Sequence, residues 1–228
     1  LHLFNLADTT GKRLSRRFPP LDTFLADVIK GTLNSYEIQQ KLSESIPELN
    51  RDDGVFKVFN VLPELDRAES SCLTVLFLLA GDHAAFVKPQ PEQLALTSDQ
   101  WQQLQEILTW AGRDAEVIKT VLILLAIRGL GKTKRLLQQL PKAEQEPELA
   151  VQHLADNYPD IIPSVKQLSS EQFGLLGELL LLHRDYNFAQ MLQGESPPGS
   201  LTQFLSQDSS LSRSYVLFLL GFMGGLWG

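Results

Sequence analysis

Three short runs in this chain are apolar on every face of a helix: Val75-Leu76-Phe77-Leu78-Leu79-Ala80, Val121-Leu122-Ile123-Leu124-Leu125-Ala126 and Val216-Leu217-Phe218-Leu219-Leu220. A helix of that kind has no side to give to water, so the fold that contains it must cover it all round. Helix is favoured over buried strand by the surroundings. Pro63 to Gly81 and Asp114 to Gly129 are each long enough for about four or five turns, and each ends at a glycine suited to a left-handed helix cap. Composition agrees: 43 Leu stand against 11 Val and 9 Ile in 228 residues, and Leu keeps its rotamer freedom in a helix where β-branched residues lose theirs.

A second pattern alternates with the first. Leu96-Thr97-Ser98-Asp99-Gln100-Trp101 is matched, 72 residues later, by Leu168-Ser169-Ser170-Glu171-Gln172-Phe173. In each, a hydroxyl residue stands three positions before a Gln, the spacing of a capping box, with an acid at the positive end of the helix dipole. Asn34 and Glu37 have the same spacing. Further helices are predicted over 21–30, 133–140, 146–157 and 201–206, each followed by a glycine or proline or by a polar stretch. Only 1–6 and Val55 to Leu62 alternate as a strand would.

The expectation is an all-α protein of about nine helices. Its arrangement is either an irregular helical repeat, a HEAT/armadillo-like α-solenoid, or a multi-helix bundle. Intervals of 46 (Val75 to Val121) and 72 suit stacked helix pairs, while the interval of 95 from Val121 to Val216 breaks any strict period. We read residues 1–228 as one domain with a distinct N-terminal subregion at 1–62. The absence of an initial Met and the apolar C-terminal end suggest a fragment of a longer chain.

Function is less legible. A net charge of -7 argues against a nucleic-acid partner, since phosphate neutralisation needs clustered Lys and Arg. One cysteine, Cys72, allows neither an intrachain disulfide nor a thiolate metal cluster, and suits a reducing, cytoplasmic setting. The four histidines are dispersed, without metal-ligand spacing, so no metal or cofactor is expected.

Ala126-Ile127-Arg128-Gly129-Leu130-Gly131-Lys132-Thr133 has the relaxed spacing of a phosphate loop. In a nucleotide-binding reading, Gly129 and Gly131 would admit the phosphates, Lys132 would meet the terminal phosphate and Thr133 the magnesium. Against it, Ala126 stands where the first Gly belongs and the preceding run reads as helix. His183-Arg184-Asp185 imitates the start of a kinase catalytic loop, yet Gln190 occupies the position of the required Asn.

The expected function is therefore a non-catalytic protein-protein interaction scaffold or adaptor. Its candidate partner-binding residues are the basic cluster Lys12, Arg13, Arg16 and Arg17 and the anchors Trp101 and Trp110. Nucleotide binding through 126–133 is the alternative. A second alternative, a membrane-associated regulatory or effector domain, rests on the fifteen uncharged residues from Ser214 to Gly228, a stretch shorter than a membrane-spanning helix.

Overall fold

The structure, a computed structural model, describes residues 20–52, 54–186 and 209–225, together with Phe204 and Ser206. Among the described residues it is all-helical, with no strand. The α-helices are α1 (Leu21–Ile29), α2 (Ser35–Ser45), α3 (Val55–Phe59), α4 (Leu62–Ala80), α5 (His83–Val87) and α6 (Ser98–Ala111). They continue with α7 (Ala115–Ile127), α8 (Lys134–Leu137), α9 (Pro147–Asn157), α10 (Ser170–Asp185) and α11 (Ser209–Gly224).

The three apolar runs lie in α4, α7 and α11, and these helices all pack against one another. Every residue of α7 from Ile118 to Ile127 is buried, because α1 and α10 close the sides that α4 and α11 leave open. A solenoid unit touches only its neighbours along the chain; here α4 packs on α11 and α1 on α7, both pairs far apart in sequence.

Glycines permit the closest of these contacts. A Cβ at Gly221 would lie 2.8 Å from Val75 Cγ2 and overlap Leu125, and one at Gly224 would overlap the Thr74 side chain. The apolar C-terminal stretch is thus core as far as it is described: Leu217, Phe218 and Leu219 are buried. Among the described residues no helix is long and apolar enough to cross a membrane.

All three capping boxes form. Asn34 Oδ1 accepts from Glu37 N at 3.0 Å, Thr97 Oγ1 from Gln100 N at 3.3 Å and Ser169 Oγ from Gln172 N at 3.2 Å, and each partner side chain returns a bond to the cap amide. Gln172 does more than cap, since its Nε2 donates to the Glu116 carboxylate at 2.6 Å and the Glu116 carbonyl at 3.2 Å. The start of α10 is thereby tied to the first turn of α7, itself capped by Asp114 accepting from Glu116 N at 2.9 Å.

Two local expectations need correction. Val55 to Leu62 is not a strand: Val55, Phe56 and Phe59 share the buried face of α3, and Asn60 in the left-handed region ends it, with Val61 N donating to Phe56 O at 2.9 Å. Gly81 caps α4 at φ 71° as expected, but Gly129 caps nothing. The chain runs from α7 straight into a 3-10 turn, Arg128–Lys132, in which Gly129 is buried.

Candidate functional site

The basic cluster Lys12, Arg13, Arg16 and Arg17 lies outside the described residues. The two tryptophans of α6 have different surroundings. Trp101 is partly buried, its ring centroid 5.1 Å from both His83 and Phe86, while His83 Nε2 lies 2.9 Å from the Leu96 carbonyl. It therefore packs the corner between α5 and α6. Trp110 is 51% exposed, one turn beyond exposed Ile107, with the Arg213 guanidinium 5.6 Å from its ring centroid.

The phosphate-loop residues are folded inward. Gly129, Leu130 and Gly131 are buried, and a Cβ at Gly131 would overlap the Pro147 carbonyl at the start of α9. Both glycines are explained by close packing, Gly129 against Glu64 and Phe56 and Gly131 against α9. Thr133 is 2% exposed and its Oγ1 has no partner among the described residues, so the hydroxyl that a magnesium would require faces protein. Lys132 remains exposed, its ammonium pushed below the usual lysine range by burial of its surroundings and then by Arg128.

Beside that turn lies a cluster that sequence reading missed. The Arg128 guanidinium sits 4.0 Å from the centroid of Phe222, and burial lowers it to about 10. His183 Nδ1 is 3.1 Å from Tyr215 Oη, and its ring meets Phe218 and Phe222 edge-on. Burial first, then Arg128 and Lys132, push His183 down to about 4, so it is neutral at physiological pH. Its helix reads locally as His-Arg-Asp, a misleading triplet; the only useful signal was Tyr215, Phe218 and Phe222 at helical spacing. Among the described residues no three His, Cys, Asp or Glu side chains converge as a metal site would require.

A cleft lies elsewhere. Asp66, Glu69, Ser70, Leu73, Thr74 and Phe77 recur at helical spacing along one face of α4 and form the long wall of a cleft of about 830 Å³. Tyr36 and Gln39 of α2 close one side, and Phe86 with Lys88 closes the other. Its size is within the range of ligand pockets. The wall changes character along its length: carboxylates stand at the N-terminal end of α4, and half-buried Leu73 and Phe77 toward the C-terminal end.

Arg51 occupies the acidic end. Its Nη2 alone donates to Asp66 Oδ1 at 2.6 Å and to Glu69 Oε2 at 2.8 Å. Sequence reading took the apolar run of α4 to be covered all round, as in α7. Phe77 instead is half-buried and lines the cleft.

With this geometry in place, comparison with known proteins gives one result: residues 57–223 match DUF6829, a family of unknown function. Neither the curated proteins nor the solved structures give a match.

Proposed function

We propose that this chain, which belongs to the DUF6829 family, works by binding a segment of another protein in the cleft bounded by α2, α4 and α5. One observation carries the reading: Phe77, within the apolar run of α4 that should be enclosed, and Leu73 just before that run are left half-buried on the wall of an 830 Å³ cleft. Apolar surface left open inside a concavity is where binding free energy is gained, at roughly 25 cal/mol for each Å² covered. The role is that of an adaptor, with one groove on a compact helical bundle in place of the long concave surface of a HEAT/armadillo-like solenoid. Packing favours this over nucleotide binding, since Thr133 and both loop glycines are buried.

Selection from a random peptide library displayed on phage tests the proposal. We expect enriched peptides to shift the amide resonances of Leu73, Phe77 and Phe86, and to lose at least tenfold in affinity against Leu73→Glu but not against Trp110→Ala. Peptides that map to the Trp110 face, or a library that yields no binder, would refute the cleft as the binding site. Calorimetry with ATP and magnesium is expected to give no heat of binding; a micromolar affinity abolished by Lys132→Ala would restore the nucleotide reading.

A further inference from the structure

The groove has a direction, and it restricts what can lie in it. Asp66 and Phe77 are eleven residues apart on α4, about 16 Å along the axis, so the Asp66 carboxylate and the Phe77 ring are separated by the length of about five extended residues. Beyond Phe77 the cleft is lined by Asp82, whose carboxylate already caps α5 through Ala85 N at 2.9 Å, and by Lys88. Ser70, Leu73 and Thr74 occupy the interval, Leu73 beginning the apolar part. Thr74 Oγ1 already donates to the Ser70 carbonyl at 2.9 Å, which leaves the middle of the wall with few demands.

The acidic end is under-neutralised. Two carboxylates share one guanidinium, and they share a single nitrogen of it, where a side-on pair would engage two. Each carboxylate therefore retains acceptor capacity. Asp66 and Arg51 are about half exposed, so their pairing is weak and exchangeable.

We infer that the cleft takes a peptide segment with an arginine at one end and a bulky apolar side chain about five residues away. In this arrangement Asp66 and Glu69 receive the ligand guanidinium, and Arg51 is an internal occupant that the ligand displaces. Leu73, Phe77 and Phe86 receive the apolar side chain. The inference rests on the cleft being a peptide site, and it adds the charge and the spacing of the ligand. No covalent step is involved.

The test uses the full chain and two blocked hexapeptides, acetyl-Arg-Ala-Ser-Ala-Leu-Phe-amide and its reversed sequence, each beside a control with Gln for Arg. Binding is read by calorimetry and by amide shifts. We expect one of the two orientations to bind at least tenfold more tightly than its Gln control, with shifts at Asp66, Glu69, Leu73 and Phe77. Arg51→Ala should tighten that peptide about tenfold, because an internal competitor is removed. Asp66→Asn combined with Glu69→Gln should erase the preference for Arg while leaving the Gln peptide unaffected.

If Arg and Gln peptides bind equally and still shift Leu73 and Phe77, the cleft stands as a peptide site and the charge inference is lost. Weaker binding by Arg51→Ala would also overturn it, since Arg51 would then be part of the receptor. If no peptide moves any resonance of the cleft, both the inference and the binding reading fall.

Discussion

Glu48 has no exposed surface, and its Oε1 accepts from Ser164 N at 2.8 Å. Among the described residues Oε2 has no hydrogen-bond partner, and the buried hydroxyls of Ser45 and Ser164 have none either. Burial pushes the carboxyl above its ordinary range, the bond from Ser164 opposing this only in part. A raised acid favours folding while it is protonated, and that contribution disappears as pH rises through the folded-state value. Glu48→Gln keeps an oxygen for Ser164 N and places a neutral amide where Oε2 lacked a donor. The variant is expected to melt above the wild type at pH 8, with the gap closing toward pH 4; a lower melting temperature at pH 8 would refute this. His183 has the opposite sign. Held down to about 4 against an ordinary value near 6.5, it stabilises fully above 6.5 and loses about 3 kcal/mol as pH falls through that window. His183→Leu should flatten the acid limb of the wild-type stability curve, as read by urea titrations at pH 7 and pH 4.5. Neither residue was recognisable from its neighbours. The partners of Glu48 and His183 lie on elements far away in sequence, and no local spacing encodes them.

Elements were most legible where their chemistry is local. A capping box needs residues three apart, and all three that the sequence offered are formed. Where a distant partner decides, reading failed: the alternation in Val55 to Leu62 is resolved into α3 by burial of Val55, Phe56 and Phe59, and Gly129 is held by Glu64 and Phe56 in place of capping a helix. The glycines of α11 belong to this second kind, because their reason is α4 and α7. Gly221→Ala places a methyl against Val75 and Leu125 and is expected to cost about 1–3 kcal/mol by overpacking. Gly174, inside α10, has nothing within 4 Å of the site of a Cβ. Gly174→Ala should therefore stabilise, by up to about 1 kcal/mol, through helix propensity alone. Denaturant midpoints of the two variants moving in the same direction would contradict the packing account of α11.

At the scale of the molecule, the apolar runs foretold an interior layer but not which of them would be sealed. α7 is enclosed and α4 is not, and the open face of α4 is one wall of the cleft. Enclosure of α7 depends on the N-terminal helices. Leu21, Leu25 and Val28 of α1 are each at most 1% exposed, and α1 packs on both α7 and α4. Lys119, 5% exposed within α7, has its ammonium 2.9 Å from Asp22 of α1. Ile38 and Leu42 of α2 and Ile46 and Leu49 after it are equally buried. At about 1.5–3 kcal/mol for each large aliphatic side chain, these seven residues contribute roughly 10–20 kcal/mol, comparable with the whole net stability of about 5–15 kcal/mol typical of a domain. Although the family match begins at residue 57, a chain starting at Gly54 would expose one side of α7 and leave the Lys119 ammonium without its carboxylate. We expect that chain to lose its cooperative thermal transition and the dispersion of its amide spectrum. A cooperative melt within a few degrees of the full chain would show instead that residues 1–53 are separable and that α7 is closed without them.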